Sequence, residues 1–251
     1  MIEVKNLSVK FADFYAVKNI SFTISPNGPE IFGLLGANGA GKTTTIKVLC
    51  GLLTPSEGEV IIDGHNLKDE DGAKQFKTIV GYMSQKFTLY HDLTVEENLY
   101  FTSCLRKIPS KIYHQRKEEL LNFIGFNKPL NTLVSNLPGG IKQQVALVAS
   151  ILHNPKIIFL DEPTAGVTPI YREKFWNLIK NLVAKGKTVL VTTHYMDEAG
   201  ECHRISLMRS GEIIALNTPS GLKEDAFPGH IKPVTLEDVF LKLVAEGSKD
   251  D

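Results

Sequence analysis

Apolar and polar residues follow two distinct patterns along the chain. They alternate over residues 2–11 and 17–24, which predicts half-buried antiparallel strands. Short continuous apolar runs are typical of parallel strands that are buried on both faces. Such runs occupy residues 31–35, 157–160, 188–192 and 205–208. The pattern therefore predicts an α/β core with a mostly parallel sheet, preceded by an N-terminal antiparallel β subdomain.

Helical periodicity fills most of the sequence between these strands. The predicted helices span residues 42–52, 95–104, 115–124, 141–152 and 169–184. Thr168 is a plausible N-cap for the last of these helices, since Pro169 follows at its first position. The tail after Gly211 reads as a strand, then proline-containing loops, then a helix over 236–245.

The long helical stretch is an insertion. This stretch, at about 90–150, separates the 31–35 strand from the 157–160 strand. Pro109, Pro129 and Pro138 interrupt its helical pattern. We therefore expect one domain over 1–251, with a helical subdomain at about 90–150 and a strand-plus-helix extension at about 211–251.

A glycine-rich segment directly follows the first buried strand. It reads Gly36-Ala37-Asn38-Gly39-Ala40-Gly41-Lys42-Thr43-Thr44. Glycines allow the backbone angles that turn several N–H groups into one concavity, and the next helix adds its positive end. Lys42 can reach the β- and γ-phosphates, and the Thr43 hydroxyl can ligate Mg²⁺. A plain glycine-rich turn is the alternative, but the strand, the spacing and the Lys-Thr pair together favour a phosphate-binding loop and a P-loop NTPase core.

Composition excludes several classes of protein. Lys plus Arg equal Asp plus Glu at 28 each, so no overall basic charge favours a nucleic-acid partner. Cys50, Cys104 and Cys202 form no Cys-x-x-Cys pair, which favours packed, reduced thiols in a cytoplasmic protein. No secretory signal and no apolar stretch of about 18 residues is visible, so we expect any membrane role to come through a partner.

Charged and polar residues at the ends of two other strands suggest catalysis. Asp161 and Glu162 end the 157–160 strand, where α/β sheets bind ligands. Asp161 is suited to hold Mg²⁺ opposite Thr43, while Glu162 can act on water as a general base or merely orient it. His194 follows the 188–192 strand and could contact the γ-phosphate, although a solvated loop histidine is the ordinary alternative.

Taken together, these motifs resemble those of the ATP-binding-cassette (ABC) ATPases over nearly the whole chain. The resemblance implies that Gln85 belongs to the glutamine loop, which touches Mg²⁺ and the transmembrane partner. It also implies that Glu162 and His194 are the catalytic glutamate and the switch histidine. Phe11 matches the aromatic that stacks on adenine, with Phe14 and Tyr15 as rivals and a plain core aromatic as the alternative for each.

A narrower resemblance points to the ATP-binding subunits of ABC-2-type exporters for drugs and antibiotics. It rests on the stretches 32–36, 43–45, 193–199 and 235–240. Residues 82–87 and 93–99 look most like the second cassette of tandem-cassette exporters. The resemblance implies ATP and Mg²⁺ as cofactors. It also implies a second cassette and a polytopic permease as partners, with the chain peripheral on the cytoplasmic face of the membrane.

The family signature is degenerate in this chain. Leu137, Pro138, Gly139 and Gly140 stand where the family usually has Leu-Ser-Gly-Gly, and Ile141 replaces the glutamine that follows. In the family this segment contacts the partner's ATP. Pro138 removes a hydroxyl and a backbone N–H, and Ile141 removes an amide.

Two further family positions also differ. Gln144 stands where arginine is usual, and Thr168 where the D-loop usually has aspartate. The resemblance therefore implies an asymmetric pair, in which this chain keeps an intact site and gives its partner a weakened one. Two alternatives are a soluble cassette ATPase without a membrane partner and an ATP-gated regulatory cassette.

Overall fold

The computed structural model describes residues 1–25, 27–85, 89–229 and 233–247. Within these ranges the strands form two sheets. The strands are β1 (Ile2–Phe11), β2 (Phe14–Ile24), β3 (Ile31–Leu35), β4 (Glu57–Ile62), β5 (His65–Asn66), β6 (Val80–Met83), β7 (Ile157–Asp161), β8 (Thr188–Thr193), β9 (Arg204–Arg209) and β10 (Glu212–Asn217). The helices are α1 (Lys42–Leu49), α2 (Glu70–Ile79), α3 (Val95–Leu105), α4 (Ser110–Phe123), α5 (Gly139–Ile151), α6 (Pro169–Ala184), α7 (Met196–Ala199), α8 (Pro219–Ala226) and α9 (Leu236–Gly247), with a 3-10 turn at Val134–Asn136.

The larger sheet brings the carboxyl ends of three buried strands to one edge. Its strand order is β10-β9-β3-β8-β7-β6, and only the β9–β10 pair is antiparallel. Leu35 pairs with Thr193 and Asp161 with Thr192, so β3, β8 and β7 end side by side. Every residue of these three strands is buried, which confirms the expectation drawn from their continuous apolar runs.

The smaller sheet is antiparallel, as the alternating pattern predicts. Its order is β2-β1-β4-β5, and Phe11 pairs with Phe14 at the tight β1–β2 connection. Its apolar face packs on β3 and α1, where Phe22 stacks on Phe32 with ring centroids 5.6 Å apart. The opposite face of the large sheet packs against α5 and α6. Alternate residues of β3 therefore enter two separate apolar layers.

The helical stretch between β6 and β7 contains α3, α4 and α5. A capping box starts α3, because the Thr94 hydroxyl accepts from Glu97 N–H while the Glu97 carboxylate accepts from Thr94 N–H. The predicted start of α4 at 115 is wrong, since the helix begins at Ser110 directly after Pro109. Among the described residues, no helix is long and apolar enough to cross a membrane.

Several other predicted boundaries are wrong by a few residues. Helix α1 ends at Leu49 rather than 52, because Gly51 adopts a left-handed conformation (φ 64°) that terminates it. Strand β2 begins at Phe14 rather than 17, and α5 begins at Gly139 rather than 141. Thr168 does occupy the N-cap of α6, but its side chain makes no capping hydrogen bond.

Candidate functional site

The glycine-rich loop connects the end of β3 directly to α1. Gly39 and Gly41 have φ values of 83° and 104°, which other residues rarely adopt. A side chain at Gly41 would also place its Cβ 2.5 Å from the Ala16 carbonyl oxygen, and one at Gly36 would collide with the Met208 carbonyl oxygen. Backbone conformation and close packing therefore both require glycine in this loop.

The Lys42 ammonium spans the inside of the loop. Its Nζ donates to the carbonyl oxygens of Gly36 (2.7 Å) and Ala37 (3.1 Å) and lies 3.5 Å from Glu162 Oε1. Burial lowers the pKa of Lys42, and the attraction of Glu162 opposes that shift only in part. The side chain is thus held inside the loop at the first turn of α1, where an anion would lie.

Asp161 lies beneath Thr43 at the end of β7. Its Oδ1 accepts from the hydroxyls of Thr43 (3.1 Å) and Thr192 (2.7 Å), whereas its buried Oδ2 has no hydrogen-bond partner in the described structure. Burial raises the pKa of this carboxyl. A buried carboxylate oxygen without a partner, next to a threonine hydroxyl, fits a Mg²⁺ ligand set.

The described residues contain no cluster of three or more His, Cys, Asp or Glu side chains that could enclose a metal. A cation at Asp161 would therefore take only part of its ligands from the protein. Mg²⁺ commonly binds in this way beside phosphates, keeping waters and phosphate oxygens as the remaining ligands.

Three of the predicted side chains converge on the carboxylate of Glu162. Gln85 Nε2 donates to Oε2 at 3.0 Å, and His194 Nδ1 lies 3.2 Å from the same oxygen, although it is not aligned as a hydrogen bond. Lys42 approaches the other oxygen. Glu162 is buried and has a left-handed backbone (φ 47°), and its N–H donates to Thr192 Oγ1 at 2.9 Å. This unusual conformation directs the carboxylate toward the loop.

A cavity of about 460 Å³ opens above the loop. Its lining comprises Phe11, Phe14, Ala16, Asn38, Gly39, Gly41, Lys42, Thr43, Thr44, Gln85 and Glu162. The rings of Phe11 and Phe14 are 50% and 64% exposed, so neither is a core aromatic. Tyr15 is not part of the lining, and Lys10 lies over its ring.

The signature residues lie outside this cavity. Leu137 is buried, Pro138 is the N-cap of α5, and Gly139 is exposed. Gly140 is buried against Tyr171 of α6. None of the four lines the cavity that contains Lys42. Lys86 and Phe87 of the predicted glutamine-loop stretch lie outside the described residues.

Sequence reasoning missed Thr192, which organises the acidic centre. Its hydroxyl donates to Asp161 and accepts from the Glu162 N–H, so it fixes both acids at once. The available signal was a threonine inside an apolar strand run, because a buried hydroxyl requires hydrogen-bond partners. Ala16 was also missed, since nothing in β2 marks it as part of a cavity.

A model of the family described as ABC transporter matches residues 17–165, which is more than half of the chain. The chain belongs to this family. Over its full length it is 43% identical to the probable multidrug ABC transporter ATP-binding protein YbhF of Escherichia coli (strain K12). It covers 43% of that protein, so it spans less than half of this relative's length.

Two other relatives are covered more completely. The cassette is 35% identical to the Nod factor export ATP-binding protein I of Burkholderia lata, covering 89% of this chain and 72% of that protein. It is 33% identical to the linearmycin resistance ATP-binding protein LnrL of Bacillus subtilis (strain 168), covering 88% and 70%. The membership predicted from the motifs is confirmed.

Solved structures show the same fold. A structure of the ATP binding subunit of an ABC transporter superposes with a TM-score of 0.84 at 26% identity, covering 97% of this chain and 99% of that chain. The cassette MJ0796, in a dimeric post-hydrolysis state bound to ADP and Pi, gives a TM-score of 0.77 at 30% identity, covering 87% and 98%. The predicted α/β fold with a P-loop NTPase core is confirmed, and the chain is an ABC ATPase domain.

Proposed function

We propose that this cassette binds and hydrolyses ATP to energise an ABC-2-type membrane exporter. The observation that carries the proposal is the convergence of Lys42, Gln85 and His194 on the Glu162 carboxylate beside the phosphate loop. The names of the relatives, which include a probable multidrug transporter protein and a resistance protein, support an exporter. In this proposal residues 1–251 form one nucleotide-binding domain, with the helical subdomain at about 90–150.

Each polar group of the site has a distinct task in hydrolysis. The loop amides and Lys42 hold the β- and γ-phosphates, and the exposed rings of Phe11 and Phe14 offer a surface for adenine. Glu162 acts on the attacking water, either as general base or by orienting it, while His194 contacts the γ-phosphate or that water. Thr43, Asp161 and Gln85 would hold Mg²⁺, which neutralises charge that develops on the phosphates.

Two substitutions test the assignment in the full-length protein in its assembled complex. We expect Lys42→Ala to reduce ATP binding or hydrolysis sharply, and unaltered values would contradict the phosphate-loop assignment. Glu162→Gln keeps the shape of the side chain, so it should preserve nucleotide binding while hydrolysis falls by about 10²–10⁴-fold. Unchanged ATPase activity in this variant would remove Glu162 from catalysis.

An exposed apolar surface on α3 supports a permease partner. Tyr100 and Leu105 are 59% and 68% exposed, and Phe101 packs edge-on against the exposed ring of Tyr90 with centroids 5.1 Å apart. This helix follows Gln85, which lines the nucleotide cavity, in the order of the chain.

The permease contact can be tested by introducing a charge on this surface. Leu105→Asp should prevent co-purification with the permease and leave ATP binding intact. The exposed Lys111, on the next helix, gives a matched control as Lys111→Asp. If Leu105→Asp assembles normally, the α3 surface is not the docking site, and the chain would remain a cytoplasmic cassette whose membrane contact lies elsewhere.

The degenerate signature supports an asymmetric pair of cassettes. The loop, acids and histidine of this chain are intact, whereas Pro138 and Ile141 lack groups that could meet a partner's nucleotide. Each lost charge-assisted hydrogen bond corresponds to roughly 1.5–3 kcal/mol. We therefore expect a second cassette with an intact signature. A purified homodimer with full, cooperative ATPase activity would contradict the asymmetry, whereas Pro138→Ser combined with Ile141→Gln should raise the activity of a homodimer.

A further inference from the structure

A buried carboxylate outside the nucleotide cavity connects the two loops that carry the reacting side chains. Glu198, on α7, is only 3% exposed, and both of its oxygens are bound. Oε1 accepts from the Thr164 hydroxyl and Oε2 from the Thr193 hydroxyl, each at 2.6 Å. Both threonines are about 1% exposed. Short bonds to an ionised acceptor are stronger than neutral ones and lose little to water when they are buried.

The two threonines that bond to Glu198 lie close in the chain to Glu162 and His194. Thr164 follows Glu162 by two residues in the loop after β7, and Thr193 immediately precedes His194 at the end of β8. Thr192 already joins the two strand ends through the Glu162 N–H, and Glu198 adds a second connection beyond them. Glu198 therefore fixes the separation of two backbone segments whose next polar side chains, Glu162 and His194, lie 3.2 Å apart.

The segment around His194 is held from both sides through the same hydroxyl. Thr193 Oγ1 donates to Glu198 and accepts from the Tyr195 N–H at 3.0 Å. The Arg172 guanidinium of α6 lies 4.0 Å over the Tyr195 ring, and its Nε is 3.4 Å from Glu198 Oε1. The residues on each side of His194 are thus tied to one buried anion and its cation.

We propose that Glu198 is a positioning residue for ATP hydrolysis, acting through Thr164 on Glu162 and through Thr193 on His194. Glu198 is buried and both of its oxygens already accept from threonine hydroxyls, so it acts through these neighbours. The inference rests on the proposed ATPase function. Its physical basis is that a displacement of about 1 Å in a reacting group can lower a rate by roughly 100-fold.

The test uses Thr193→Val and Thr164→Val in the full-length protein in its assembled complex. Valine keeps the shape of threonine and replaces its hydroxyl with a methyl group. We expect kcat to fall about tenfold or more, while KM for ATP and the dissociation constant for nucleotide change less than about twofold. Thr193→Ser and Thr164→Ser restore the hydroxyl and should recover most of the lost kcat.

A double-mutant cycle separates positioning from a general structural role. If Thr193 acts through His194, then Thr193→Val should cost almost nothing further in a His194→Ala background. Equal losses in both backgrounds would overturn the proposal, and so would a lack of rescue by serine or a loss confined to KM. If a valine variant does not show the cooperative unfolding of a folded protein, kcat and KM can be measured in Glu198→Gln instead. Glutamine keeps the shape of the Glu198 side chain and carries no charge.

The outcome for Glu198 is distinguishable from that of the proposed function. A wild-type complex without ATPase activity would contradict the proposed function itself. An active wild type whose valine variants keep full kcat would contradict only the role of Glu198.

Discussion

Alanine in place of Gly140 is expected to destabilise the nucleotide-free protein, whereas alanine at the neighbouring Gly139 is expected to be tolerated. Both glycines lie in the first turn of α5, and neither has a positive φ. They differ in their surroundings. A Cβ at Gly139 would meet nothing within 4 Å, while a Cβ at Gly140 would lie 2.5 Å from Cδ1 and 2.7 Å from Cβ of Tyr171.

The expected magnitude follows from that overlap. The distances are about 1 Å shorter than the 3.4 Å at which ordinary contact begins. Because the clashing atoms belong to the base of the Tyr171 side chain, rotating the ring cannot relieve them, and α5 must shift relative to α6. Such overpacking typically costs about 1–3 kcal/mol. The gain in helix propensity of up to about 1 kcal/mol is smaller in a first turn. We expect a net loss of about 2 kcal/mol for Gly140→Ala, equivalent to about 4–8 °C in Tm for a chain of this size.

Urea or thermal unfolding without nucleotide measures the effect, so that contacts with a bound ligand or a second cassette do not contribute. Gly139→Ala should remain within about 0.5 kcal/mol of the wild type. Tyr171→Ala removes the ring atoms and leaves only the Cβ contact, so Gly140→Ala should cost less in that background. Equal effects at the two glycines, or additive effects of Gly140→Ala and Tyr171→Ala, would refute the packing argument.

Three other predictions concern nucleotide, metal and protons. Phe11→Ala should weaken ATP binding by about 1–3 kcal/mol, as stacking on a base usually contributes, while Tyr15→Ala, outside the cavity, should leave the calorimetric affinity unchanged. Thr43→Val should raise the Mg²⁺ concentration required for half-maximal ATPase activity, and an unaltered Mg²⁺ titration would exclude its hydroxyl as a ligand. Burial, reinforced by nearby cations, lowers the pKa of His153 to about 4. Because the unfolded chain then binds the proton more tightly, stability should decline as the pH falls from about 6.5 to 4, by at most about 3 kcal/mol. His153→Gln should flatten that decline in urea unfolding measured across this range, and an unchanged slope would contradict it.

The features that could be predicted from the sequence are those with a local physical cause. β3, β7 and β8 are buried on both faces, so each shows as an unbroken apolar run. The phosphate loop was also accessible, because its backbone conformation requires glycine at fixed spacing. The acids and His194 could be placed as strand-end residues, and parallel pairing brings such ends together.

The elements between residues 57 and 83 could not be predicted for equally physical reasons. Strand β4 is only partly buried, so it has no strong apolar signature. Helix α2 passes straight into β6 with Val80 in an extended conformation, and Gly81 lies inside the strand rather than in a turn between the two elements. Turn residues cannot reveal the boundary of an element where the chain changes from helix to strand without a turn.

The hydrogen bonds within the site could not be predicted either, because they join residues that are far apart in the sequence. Glu198 lies on the four-residue helix α7, and its bond to Thr164 joins residues 34 positions apart. No periodicity marks such a pair. The partners of Thr192 are hidden for the same reason, because Asp161 belongs to a different strand.

The residues at the signature positions are compatible with the fold of the cassette. Pro138 adopts φ −58° and ψ 147°, a conformation natural to proline, and its carbonyl accepts from the N–H groups of Ile141 (3.0 Å) and Lys142 (2.9 Å), the third and fourth residues of α5. Ile141 packs beside the apolar core. Neither residue leaves a strained or unpaired group in the cassette, and neither lines its own nucleotide cavity. Since the fold accommodates both residues, the asymmetric pair proposed above would place any functional cost of Pro138 and Ile141 at the partner's nucleotide.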